Sequence, residues 1–321
     1  MNNKKTIMAF SGIQILVFHL WVYVFASGLG QVEKFLKINA SLGVDIFFFL
    51  SAYSLANRSL DSYASFVFSR FKAVYAKFIA FAIIASIYVG WKLKLLLEVV
   101  TTVNLFKRGG GAFLWFLPAI MILYIVFPLF KKCDEKNRWL TLALVIVGWF
   151  GLGLIGTWMT GFKHLFIFWN RLPVFLLGYY MAKCEPFKKL LLNKKLRVVV
   201  GIVLTVVGNV LISLFAYKSK LSIPLHDMFY LIYIPASVGL ILLVGMVPDV
   251  RPIKWIGSST LEMYAIQMIW GYKVTNMALK ITGNAILTNL VAMSFVIIAA
   301  VIVHYAVDFI ILKANDYTSV R

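Results

Sequence analysis

Apolar stretches long enough to cross a bilayer follow one another along almost the whole chain, and nothing else in the sequence constrains the fold as much. A helix rises 1.5 Å per residue, so about 20 apolar residues traverse a hydrocarbon core. Roughly ten segments meet that rule: 7–27, 41–57, 74–91, 112–130, 139–158, 165–182, 197–216, 228–247, 257–278 and 286–312. Backbone polar groups in lipid must be satisfied within each segment, which leaves helices as the solution for runs of this length. Hydrophobic residues make up 62% of the 321 positions, against about 45–50% in soluble globular chains. The expected fold is all-α: a polytopic membrane helix bundle of about ten transmembrane helices in a single domain, 1–321, with short loops. Pro118, Pro128, Pro173 and Pro235 fall within or beside segments, where neighbouring helices satisfy the freed carbonyls. The first segment is long and has no small-residue cleavage site after it, so it reads as a retained helix.

Lys and Arg outnumber Asp and Glu by 32 to 12, for a net charge of +20. In a membrane protein such an excess sets orientation and meets anionic headgroups. The densest cationic loops are Lys131, Lys132, Lys136 and Arg138, and the run from Lys183 through Lys188, Lys189, Lys194 and Lys195 to Arg197. Placing them inside puts both termini in the cytosol. No recognition motif accompanies the charge, so nucleic acid is not an expected partner. Cys133 and Cys184 both fall near inner ends, which argues against a disulfide framework.

Three polar residues stand out inside apolar runs. His19 lies in the first segment, Asp45 in SLGVDIFFFLSAYSL, and Arg171 in FWNRLPVFLLGYY. Ionisable groups in hydrocarbon mark functional sites by default. With the N-terminus inside, the first segment rises while the second and sixth descend, and all three residues then fall at similar depths in the outer half. Trp115, at the outer start of the fourth segment, joins that layer. There a His can take a hydroxyl proton, an Asp can orient its ring, and an Arg can steady an oxyanion. The alternative is structural: His19 bonded to a backbone carbonyl, Asp45 capping a helix, Arg171 snorkelling outward. His19 has no His or Cys near it at metal-ligand spacing, and no metal is expected. Of the other histidines, His164 and His226 fall in outer loops and His304 beside Asp308. A second cluster, Arg58 followed by SFVFSRFK with Arg70 and Lys72, suits either a phosphorylated carrier or anionic headgroups.

These pieces, in this order, resemble the membrane acyltransferase family often called acyltransferase-3. The resemblance rests on Phe18-His19, then Gly43-Val44-Asp45-Ile46-Phe47-Phe48 with Leu50-Ser51, then Phe66 to Phe78 around Arg70. It continues through Trp115-Phe116-Leu117 with Tyr124 and Pro128, Arg171-Leu172-Pro173 to Gly178, and Ile256-Gly257 with Ser259, Leu261 and Tyr264. It runs nearly end to end. It implies an O-acyltransferase of the bacterial plasma membrane, drawing on cytosolic acyl-CoA, acetyl-CoA in the simplest case, as donor substrate with no bound cofactor. The acceptor would be a hydroxyl of a cell-surface polysaccharide or lipid-linked glycan. On that resemblance His19 is the general base, with Asp45 and Arg171 beside it, and Arg58, Arg70 and Lys72 meet the CoA phosphates. Trp115, Trp169, Tyr264 and Gln267 are candidate substrate-binding residues. The chain departs from the family pattern at three places. Met8 stands where an Arg usually precedes the helix-1 His, Ala73 replaces the second Arg of R-x-x-R with Lys72 adjacent, and Gln267 replaces a late His. The resemblance also places the chain with the stand-alone members, without an added extracytoplasmic domain.

Two other classes compete. A transporter or flippase for a glycan precursor accounts for many helices and a buried Asp45, and would consume no thioester. A scaffold or sensor that has lost catalysis accounts for Met8, Ala73 and Gln267. Oligomeric state is not legible.

Overall fold

The computed structural model describes residues 3–23, 35–36, 39–60, 62–158, 162–215 and 229–319. Its elements are helical throughout, with no strand among the described residues. In chain order they are α1 (Lys4–Tyr23), α2 (Leu42–Ala56), α3 (Tyr63–Val89), α4 (Leu93–Val100), α5 (Val103–Arg108), α6 (Phe116–Lys136), α7 (Arg138–Trp158) and α8 (Phe166–Trp169). There follow α9 (Leu172–Lys183), α10 (Glu185–Leu192), α11 (Lys194–Phe215), α12 (Tyr233–Val244), α13 (Arg251–Ser258), α14 (Thr260–Thr282) and α15 (Ala285–Ser319). Helices α3, α6, α7, α11 and α15 are long and apolar enough to cross a membrane, while α2 and α12 are apolar but shorter. Their flanks stay exposed: Ile87 at 79%, Val147 at 69%, Ile302 at 63%. Apolar area on this scale is tolerated by lipid and not by water, so the chain is a membrane protein.

Two segments differ from the sequence expectation. The stretch holding Arg70, expected to lie ahead of the 74–91 segment, is the first half of α3. Ser62 caps it, its hydroxyl accepting the Ser65 N–H at 3.0 Å. One π turn, Phe71–Tyr75, interrupts α3 directly after Arg70. The 165–182 segment, expected as one helix, is broken at Asn170–Arg171 into α8 and α9. Pro173 sits in the first turn of α9, where its missing N–H costs nothing, and a helix starts there more readily than it continues through.

The chain forms two compact units. The first comprises Met1–Phe47, Lys195–Thr205 and Ala236–Arg321. Its core is the seam of α1 with α14 and α15, where Leu16, Met263, Ile266, Val296 and Ala300 are buried together. Asp249 closes the start of α1, accepting from Thr6 N at 2.8 Å and Thr6 Oγ1 at 2.7 Å. Gly43 lets α2 touch α1: a Cβ there would stand 2.6 Å from Ser11 O.

The second unit comprises Phe48–Lys194 and Val206–Pro235. Its centre is α6, whose Phe127 packs against Phe66, Phe130, Phe175 and Tyr179. Asp134, with a side chain 2% exposed, is the polar pin. It accepts from Tyr179 and Tyr180 hydroxyls at 2.8 Å each and from Lys183 Nζ at 3.2 Å, tying α6 to α9. Trp149 and Trp169 exchange two bonds, each indole N–H donating to the other's carbonyl at 3.0 Å, and so tie α7 to α8.

Candidate active site

In the first unit, His19 faces Tyr264, with ring centroids 5.9 Å apart. Its Nδ1 lies 2.9 Å from Ile15 O. A carbonyl only accepts, so Nδ1 carries the proton and Nε2 keeps its lone pair. The ring makes no other hydrogen bond among the described residues. One turn back, Gln267 Nε2 donates to Leu16 O at 3.2 Å, with Gln267 wholly buried. The surroundings of His19 are therefore built from two neighbouring helices, α1 and α14.

Asp45 is 4% exposed in the first turn of α2, where the helix dipole favours a carboxylate. The depth expected for it is corrected by the register of α1 and α2. Gln14 Nε2 donates to Asn39 O at 3.2 Å, and Gly43 lies against Ser11. Asp45, two residues further down an antiparallel helix, is thus level with the start of Ser11's turn. His19 stands about 12 Å beyond Ser11 along α1. The bond that orients the imidazole comes from Ile15 O, and Asp45 lies too low to supply it.

In the second unit, α6 works as a ruler. Just before its first residue, Trp115 receives the Arg171 guanidinium over its ring at 5.4 Å. Arg171 is 4% exposed and donates from Nη1 to Ile167 O at 2.5 Å. Halfway along, Tyr124 is hydrogen-bonded with Ser51 and lies within electrostatic reach of Arg70. Near the far end, Lys131 Nζ donates to Arg58 O at 2.6 Å. Trp115, Tyr124 and Lys131 mark heights about 14 Å and about 10 Å apart.

Arg58 and Arg70 are close enough to repel. Arg70 Nε is buried and finds no acceptor among the described residues. Lys72 is exposed on the π turn. Two guanidinium groups held together, with one N–H unanswered, are arranged for an anion. Trp169 donates its N–H to Trp149 O.

A family model described as an acyltransferase domain, acyltransferase-3, matches residues 9–308. The chain belongs to the acyltransferase-3 family. No curated protein and no solved structure matches it. The match takes in both units, so the histidine side and the arginine side of this acyltransferase-3 chain lie within it.

Three features escape a sequence reading of this acyltransferase-3 chain. Asn170 is 6% exposed, and its Nδ2 is buried with no hydrogen-bond partner among the described residues. Only its place beside Arg171 at the helix break marks it. Glu262, 1% exposed, faces His304 Nδ1 at 3.1 Å, and Asp308 lies 3.4 Å from Nε2. The sequence showed the i,i+4 half of that trio and not the half on α14. Asp134 reads as a loop acid until Tyr179 and Tyr180 are seen on it. His164 is exposed, and His226 lies outside the described residues.

Proposed function

We propose that this acyltransferase-3 chain is a membrane O-acyltransferase of the bacterial plasma membrane. It moves an acetyl or other short acyl group from cytosolic acyl-CoA to a hydroxyl of a cell-surface polysaccharide or lipid-linked glycan. The topology that goes with this is about ten spans with both termini cytosolic. One observation carries the reading. The Ile15 carbonyl fixes the proton of His19 on Nδ1, which leaves Nε2 as an unblocked base in a half-buried setting.

His19 Nε2 takes the acceptor's hydroxyl proton while the oxygen attacks the thioester carbonyl. The C–S bond then breaks, and the proton passes to the departing CoA thiolate. In the second unit, Arg171 and Asn170 carry N–H donors suited to a developing oxyanion. Arg58, Arg70 and Lys72 hold the CoA phosphates, and the spacing along α6 from Lys131 to Trp115, about 24 Å, suits an extended pantetheine arm. The candidate acceptor contacts are Trp115 and Trp169 in the second unit and Tyr264 and Gln267 in the first. Asp45 supports the start of α2 and takes no proton.

The test is transfer of labelled acetyl from acetyl-CoA by the purified chain in lipid, with an envelope-glycan acceptor, beside His19→Ala. Transfer and CoA release present in the native chain and absent in the variant are expected. Equal turnover in both, or glycan uptake without CoA release, overturns the proposal.

A further inference from the structure

Within the second unit, α6, α7 and the α8–α9 pair enclose a slot of about 450 Å³. Its walls include Phe127, Phe130, Phe168, Phe175 and Leu176. The Trp149–Trp169 pair stands at one end, and at the other Phe130 packs on Tyr179 at 5.0 Å. One flank is open, where Val126, Leu129 and Leu144 are 51%, 63% and 63% exposed. The volume falls within the range of small-molecule sites, about 300–1,000 Å³, but the convergent polar groups that orient a sugar or nucleotide are missing. Cys133 and Thr141, both at one end, supply the polar atoms, and Trp169's N–H is already used. The chemistry that fits these walls is a hydrocarbon chain.

The Cys133–Thr141 end is cationic. On α6, the row Val126, Leu129, Cys133 continues to Lys136, and on α7 the row Val145, Thr141 runs back to Arg138. Lys136 is exposed and has no ion-pair partner among the described residues. Arg138, 49% exposed at its side chain, lies 5.6 Å over the Tyr180 ring and 4.0 Å from Asp134 Oδ1. That carboxylate already accepts from Tyr179, Tyr180 and Lys183. Glu135 is on another face, 3.7 Å from Lys131. Two cations at the mouth of an apolar slot complement a phosphate carried on a hydrocarbon chain. The slot is not the donor site, because Tyr124 and Lys131 lie roughly 160° around α6 from its lining row.

We infer that this slot holds one acyl chain of an anionic phospholipid, with the phosphate between Lys136 and Arg138. The test titrates the full chain, delipidated in detergent, with phosphatidylglycerol or phosphatidylcholine, counting bound lipid by native mass spectrometry and following Tm. Phosphatidylglycerol is expected to bind at one site, roughly tenfold more tightly than phosphatidylcholine. The Lys136→Ala, Arg138→Ala pair removes that preference and leaves the zwitterionic lipid unchanged. Leu144→Trp fills the open flank and lowers binding of both lipids, while the fold is checked by circular dichroism. Glycerophosphoglycerol, which has the phosphate and no chain, does not bind, and lysophosphatidylglycerol does. Equal affinity for the two lipids, or binding untouched by Leu144→Trp, reduces the slot to bulk lipid and overturns the inference. A dimer that Leu144→Trp dissociates overturns it as well, since the slot would then be covered by a second copy.

Discussion

At His19 a backbone carbonyl decides the protonation pattern. Ile15 O holds Nδ1–H, and the acid that the sequence offered for the task lies nearly three turns lower on the neighbouring helix. His19→Gln keeps a side chain that can donate to Ile15 O and removes the proposed base. Its transfer rate should fall at least about 100-fold with acetyl-CoA binding unchanged, measured as kcat and KM on separate titrations. Asn170 makes a companion case. With a buried N–H₂ unpaired at rest, Asn170→Ala should lower kcat by about 100-fold and leave KM and Tm nearly unchanged. A fall in Tm with kcat intact would mean the amide is structural. His19 and Arg171 were legible because charge in hydrocarbon is conspicuous in any sequence. Asn170 was not, because a neutral amide in a span is ordinary until its burial and missing partner are known. Asp45 was legible as an oddity but not in depth, since the sequence alone leaves the register of two helices open and only contacts such as Gly43 with Ser11 fix it.

Between elements, the second unit is pinned by polar atoms in an apolar setting. Removing Asp134 would strand two tyrosine hydroxyls and an ammonium. Asp134→Ala should therefore destabilise the protein by about 3 kcal/mol, and Asp134→Asn by less, read from thermal unfolding in detergent. Gly178 is a steric pin. A Cβ there meets Phe49 O, so Gly178→Val should cost about 1–3 kcal/mol by pushing α9 off α2. Helix existence was well marked in the sequence, because long apolar runs leave the backbone no alternative. Helix interruptions were poorly marked. Pro173 pointed to the break at Asn170–Arg171, but the capped start of α3 at Ser62 sits in a polar stretch whose composition suits a loop equally well.

For the molecule as a whole, the proposed orientation makes a prediction about two thiols. Cys133, exposed, and Cys184 adjoin the same Asp134–Lys183 tie, so they share one side of the membrane. A membrane-impermeant maleimide should label Cys133 in inverted vesicles and not in intact cells, and the reverse pattern would invert the topology. Charge bias in the loops is what the sequence offers for this orientation, whereas it offers nothing for the division into two units, because apolar composition is uniform across their boundaries. The π turn at Phe71–Tyr75 has an evolutionary consequence. A π turn adds one residue to an α-helix, so loss of a single codon there would restore a regular helix and rotate the segment carrying Arg70 by about 100° relative to the rest of α3. The apolar span would survive and the anion site would not. In such a lineage, the proposed thioester recognition can vanish, or reappear, in one genetic step that membrane insertion never registers.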